Sequence, residues 1–200
     1  RIGSSAASDV YKRQDMTMAS TFEPNSTYDM GQERSSDGGV PPIERAPNDV
    51  FIRTRLGDIV IRLYVEAAPI TVENFLQYVD DGFFDGRDEG GATTFHRVIS
   101  GFMIQGGGVI ESGGLKMTRR PIPIESMNGL SNVRGSVAMA RTNDPDSATS
   151  QFFINHVDNG TLDHRPGNPG YTVFGTVVKG METADAIAAE MTNEQDVPRV

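Results

Sequence analysis

FHRVISGFMIQGG, residues 95–107, is the stretch on which the reading of this chain turns. It is rich in aromatic and β-branched residues, carries one arginine, Arg97, and continues past Gly101 into Phe102-Met103-Ile104-Gln105. Apolar runs of this length, interrupted by glycine, are the pattern of short strands. Residues 93–99 and 102–105 are therefore expected as two of them, with Arg97 inside the first.

Similar runs lie on either side. Downstream, GSVAMARTNDPDSATSQFFIN (135–155) supplies strands over 136–141 and 151–155, with the small residue Ala140, then Gln151 and the pair Phe152-Phe153. Leu162-Asp163 and GYTVFG (170–175) follow, the latter opening a strand over 171–178. Upstream, residues 50–56 and 59–64 flank Gly57-Asp58, and glycine at the first central position predicts a type II′ two-residue hairpin turn there. Val72, Phe75, Leu76 and Val79 recur at i, i+3, i+4, i+7, one apolar stripe of a helix that Gly82 is placed to end. Ala184, Ile187, Ala188 and Met191 form a second stripe. Many short strands with two isolated helices and no internal repeat suggest a β-barrel whose open ends need covering.

The 200 residues are enough for one full-sized domain. A formal charge of −9 argues against nucleic-acid binding, which needs a local excess of Lys and Arg. No run approaches the roughly 18 apolar residues of a membrane helix. The chain has no cysteine, which excludes disulfides and thiol chemistry. Residues 1–14 (RIGSSAASDVYKRQ) look like a translated adapter remnant, with Met16 or Met18 as the expected start. Residues 15–49 are expected to be a disordered, mildly acidic arm, leaving 50–200 as the folded domain. Residues 195–200 read as the start of a further strand, so the final strand is expected to be cut short. The compartment, cytoplasmic or periplasmic, stays open; a monomer is expected, since no heptad is visible.

With those motifs in order, residues 50–200 resemble the cyclophilin family, its bacterial-like branch in particular. The resemblance implies a mainly β fold: a closed eight-stranded antiparallel barrel capped by two α-helices, with a shallow proline-binding groove on its outside. It also implies peptidyl-prolyl cis–trans isomerase activity on Xaa-Pro-containing polypeptides in protein folding, with no metal or cofactor. Carried over position by position, Arg97 and Gln105 match catalytic residues, and Phe102, Met103, Ala140, Phe153, Leu162 and Tyr171 match substrate-binding ones. Just before Leu162 the family usually carries tryptophan or phenylalanine, whereas this chain has Thr161. Weak or absent cyclosporin binding follows from that loss.

The chemistry suits such residues. Rotation about an Xaa-Pro bond is slow because amide resonance raises a barrier of roughly 20 kcal/mol. Twisting makes the prolyl nitrogen pyramidal and able to accept a hydrogen bond. An arginine is always charged and offers several donors in one plane, so it can favour the twisted state over both planar ones. Other readings are weaker. Strand alternation sets His96 opposite Arg97, as a structural histidine rather than a base. Gly106-Gly107-Gly108 lacks a phosphate-loop frame and reads as a turn or bulge. Ser150, His156 and Asp158 supply the residue types of a hydrolytic triad without its nucleophile elbow. The acidic stretch 80–89 reads as a solvated loop. A proline-directed binding module or chaperone-like scaffold with little turnover is the alternative function.

Overall fold

The computed structural model describes residues 19–21 and 48–190, and its elements follow the runs read above with shifts of a few residues. The first hairpin joins β2 (Asp49–Thr54) to β3 (Gly57–Leu63). Its central residues are Arg55 and Leu56 rather than Gly57-Asp58, because Thr54 pairs directly with Gly57. The Thr54 hydroxyl closes the turn two positions early, donating to the Gly57 carbonyl (2.8 Å) and accepting from the Leu56 N–H (3.2 Å). Glycine is still required after the turn: Gly57 has φ +136°, and a Cβ there would lie 2.6 Å from the Thr183 hydroxyl.

Helix α1 (Pro69–Asp80) begins on a proline, whose missing N–H costs nothing at that position. Ala68 provides no side-chain cap. Glu125, distant in sequence, does so instead, accepting from the Ile70 N–H (3.1 Å), the Thr71 N–H (2.8 Å) and the Thr71 hydroxyl (2.6 Å). Val72, Phe75, Tyr78 and Val79 are buried, while Leu76 of the expected stripe is only partly so. Gly82, at φ +70°, follows the helix end as expected.

Strands β4 (Thr93–Ile99), β5 (Met103–Ile110), β6 (Ser136–Met139), β7 (Phe152–Asn155) and β8 (Val173–Lys179) complete the domain's sheet, and α2 (Met181–Ala188) follows. A three-residue β1 (Ala19–Thr21), from the stretch expected to be a disordered arm, pairs with β2. The order is β1-β2-β3-β8-β6-β7-β5-β4, antiparallel throughout. Among the described residues the sheet is a curled, open half-barrel. Its edges are β1 and β4, and closure into the expected eight-stranded barrel is not made by them. Helix α2 touches β3 toward one end of this order and β4 and β5 at the other. Residues 1–14, Met191 and 195–200 lie outside the described residues.

The inner face is aromatic. Phe75, Phe84, Phe95, Phe152 and Phe174 are buried together, with neighbouring ring centroids 5.2–6.3 Å apart. The acidic stretch after α1 is held down rather than freely solvated. Lys116 Nζ donates to the Phe83 and Gly91 carbonyls and to Asp88 Oδ1, each at 2.7 Å, and sits 4.5 Å from the Phe83 ring centre.

Candidate active site

Simple alternation along β4 would send Phe95 and Arg97 to the same face. The register prevents it. Phe95 opposes Gly106 on β5 while Arg97 opposes Gln105, so two steps on β4 match one on β5 and His96 is the extra residue. This β-bulge leaves Phe95 and Val98 both buried, with His96 partly buried and Arg97 exposed between them. The expected placement of His96 and Arg97 on opposite faces is thereby corrected: both lie off the core. His96 Nδ1 lies 3.4 Å from the Thr94 carbonyl oxygen. Burial first, and then the Arg97 charge, hold the imidazole below its usual pKa against opposing contributions from the Thr94 carbonyl and Gln151.

Along β5 to β8 the motif residues sort onto two faces, across a further register shift between Val137 and Ala138. Ile104, Val137, Met139, Phe152, Ile154 and Phe174 join the inner core. Their immediate neighbours Met103, Ala138, Phe153 and Val173 form a second cluster, against which Phe102, Ala140, Leu162 and Tyr171 pack. The Phe153 and Tyr171 rings meet edge to face at 5.7 Å. Above this cluster lies a shallow groove of about 100 Å³. All eight residues expected from the resemblance, Arg97, Phe102, Met103, Gln105, Ala140, Phe153, Leu162 and Tyr171, line it.

A ninth lining residue, Arg141, was not anticipated. Its guanidinium stacks 4.5 Å from the Tyr171 ring centre and donates through Nε (3.1 Å) and Nη2 (2.8 Å) to the Gly170 carbonyl. The only sequence signal was its place beside Ala140. Gln151, quoted above but given no role, accepts from Gln105 Nε2 at 2.9 Å through its Oε1.

The groove's far wall hangs on a buried polar network that sequence reading missed. Asn155 Nδ2 donates to the Ser136 hydroxyl (2.9 Å) and to Asn132 Oδ1 (3.2 Å), and Asn155 Oδ1 accepts from Asn159 Nδ2 (2.7 Å). Asn159 Nδ2 also reaches the Phe102 carbonyl at 2.9 Å. The Asn159 carbonyl accepts from the Leu162 N–H (2.8 Å), and the Leu162 carbonyl from the Tyr171 N–H (2.9 Å). One set of asparagines thus ties together Phe102, Leu162 and Tyr171. Asn155 is fully buried, so each of these bonds compensates a desolvated group.

The residues of the hydrolytic alternative are committed elsewhere. The Ser150 hydroxyl donates to the Gly107 carbonyl (2.7 Å), Asp158 accepts from the Arg134 N–H (2.7 Å), and His156 Nδ1 accepts from the Gly101 N–H (3.0 Å). The three glycines lie inside β5, where four steps from Gly106 to Ile110 match two from Phe95 to Thr93, a bulge as expected.

The chain is similar to known proteins. A family model described as cyclophilin type peptidyl-prolyl cis-trans isomerase/CLD matches residues 50–200. Peptidyl-prolyl cis-trans isomerase A of Dickeya dadantii is 49% identical over 153 residues, covering 74% of this chain and 77% of that protein. Peptidyl-prolyl cis-trans isomerase B of Escherichia coli is 48% identical over 157 residues, covering 75% and 92%. A crystal structure of a Cryptosporidium parvum cyclophilin type peptidyl-prolyl cis-trans isomerase, in the presence of the dipeptide Ala-Pro, superposes with a TM-score of 0.64. It is 29% identical, covering 75% of this chain and 90% of that one. The chain belongs to the cyclophilin-type peptidyl-prolyl cis–trans isomerases.

Proposed function

We propose that this groove carries the prolyl isomerase activity of the protein without covalent chemistry, with Arg97 as the principal catalytic residue. A substrate proline lies on Met103 and Phe153, between Phe102, Ala140, Leu162 and Tyr171. The Arg97 guanidinium donates to the prolyl nitrogen as it becomes pyramidal. Gln105 fixes the substrate carbonyl and orients Arg97, its cross-strand partner. Interactions made in the twisted state and absent from either planar one lower the barrier, about tenfold for each ~1.4 kcal/mol.

The observation that carries this reading is the bulge at His96, which sets an exposed guanidinium beside an apolar cup on the outer face of the sheet. The dipeptide named with the Cryptosporidium parvum structure supports Xaa-Pro peptides as the substrate class. NMR exchange spectroscopy on an Ala-Pro peptide tests it. The chain should accelerate exchange, and Arg97→Ala should remove roughly a hundred- to a thousandfold of the rate, the scale of losing one preorganised donor. Acceleration that survives the substitution would overturn the assignment of Arg97.

Two finer features belong to the same reading. Thr161, exposed at the rim beside Leu162, offers no ring to a cyclosporin-like macrocycle, so binding of that class is weak. The half-barrel closes into the eight-stranded barrel that the resemblance implies. The contacts of α2 with β3 and with β4 and β5 support this, since one helix meets both halves of the curled sheet.

A further inference from the structure

Gln105 can serve Arg97 only if its amide is turned the right way. A side-chain amide has an acceptor end and a donor end. Turned wrongly, it would present N–H groups to a guanidinium that has only N–H groups of its own. The bond from Gln105 Nε2 to Gln151 Oε1 decides the matter: the donor end is drawn toward β7, and the carbonyl end is left for the groove.

Gln151 in turn occupies a place that exists because residue 108 has no side chain. A Cβ built on Gly108 would stand 2.5 Å from Gln151 Cγ, 2.7 Å from its Cδ and 2.7 Å from its Nε2. Gly108 is not among the glycines with left-handed backbone, unlike its neighbour Gly107 at φ +85°. No conformational reason therefore calls for glycine at 108, and the clearance for Gln151 does. Gln151 also raises the His96 pKa against the effect of burial, and its partner Gln105 is the cross-strand partner of Arg97 at the bulge.

We propose that Gln151 and Gly108 are positioning residues of the isomerase: Gln151 orients the Gln105 amide, and Gly108 leaves the space in which Gln151 does so. This rests on the roles given above to Arg97 and Gln105.

The test is a double-mutant cycle, read by Ala-Pro exchange kinetics and by the side-chain amide resonances of Gln105. Gln151→Leu and Gly108→Ala should each lower kcat by about two- to tenfold, the size of one neutral hydrogen bond, with KM little changed. Gln151→Glu keeps the acceptor oxygen and should retain most of the rate. Gly108→Ala placed on Gln151→Leu should add no further loss. The Gln105 amide resonances should move in Gly108→Ala and Gln151→Leu and stay near the wild-type position in Gln151→Glu. Losses that simply add, or equal losses from Leu and Glu at 151, would overturn the proposal, as would an unmoved Gln105 resonance in Gly108→Ala. The resonances report the amide's orientation whether or not Arg97 is catalytic, so a failure of that earlier assignment shows separately, in Arg97→Ala.

Discussion

Phe152 and Phe153 are adjacent on β7 and belong to different parts of the molecule. Phe152 stands in the inner aromatic cluster, edge-on to Phe75, Phe84 and Phe95 at 5.4, 5.9 and 6.3 Å. Phe153 joins the smaller outer cluster, with Tyr171 beside it and the groove above. Both are almost fully buried, at 1% and 4% exposure. Burial alone therefore does not separate a core residue from a binding one. What separates them is what lies on the other side of the ring: more protein for Phe152, a place for a ligand for Phe153.

The sharpest way to break this comparison is to remove each ring. Phe152→Ala should cost roughly 3–5 kcal/mol, because its neighbours are fixed by other rings and cannot collapse into the space. Chemical denaturation measures it. Phe153→Ala should cost clearly less, since the vacated space opens to the groove, yet it should raise KM for an Ala-Pro peptide. Equal stability losses with unaltered kinetics would erase the distinction between the faces.

Next in size is the network that holds the outer wall. Asn155→Leu strands the Asn159 and Ser136 groups that now bond to it and should cost about 1–3 kcal/mol. Because the same asparagines hold Phe102 and Leu162, kcat/KM should fall at temperatures where the variant is still fully folded. An unchanged kcat/KM would mean that the groove does not depend on the network.

A smaller effect sharpens the outer face from the ligand's side. Thr161→Trp should tighten cyclosporin binding by about tenfold, the scale of one well-placed aromatic contact, in a calorimetric titration. No change in affinity would remove Thr161 as the ground for the weak binding proposed above.

The last prediction concerns pH. Burial lowers the His96 pKa below the ordinary value of 6.5, so the folded state binds fewer protons there than the unfolded chain. Its contribution to stability is present in full above 6.5 and is lost as pH falls through the lowered value. His96→Gln should flatten that part of the stability profile without abolishing turnover. An NMR titration of the imidazole at or above 6.5 would contradict the burial argument.

How far the sequence carries can be judged at particular residues. The resemblance supplied eight of the nine lining residues of the groove, whereas the two-residue period was applied to one pair, His96 and Arg97. That period failed at His96, because a bulge arises between strands and one strand's pattern does not record its partner's register. The hairpin turn slipped by two residues because the Thr54 hydroxyl outweighed the glycine signal. The Glu125 cap on α1 and the asparagine network join residues far apart in the chain, beyond any local pattern. Arg141 was overlooked because it stands just past the end of β6, where its guanidinium folds back over Tyr171.

The bulge also changes what kind of alteration position 96 tolerates. A strand is read in steps of two, much as a message is read in a fixed frame, and His96 is the inserted letter that shifts the frame between Phe95 and Arg97. Replacing that letter leaves the frame intact, so many side chains should be compatible with an outward-facing Arg97. Deleting it would leave Phe95 and Arg97 as successive residues opposite Gly106 and Gln105, still facing in and out by ordinary alternation, and would remove only the local bend that the bulge gives the strand. At this position the inserted residue sets how the strand bends beneath the guanidinium, while the side chains on either side of it keep their faces with or without it.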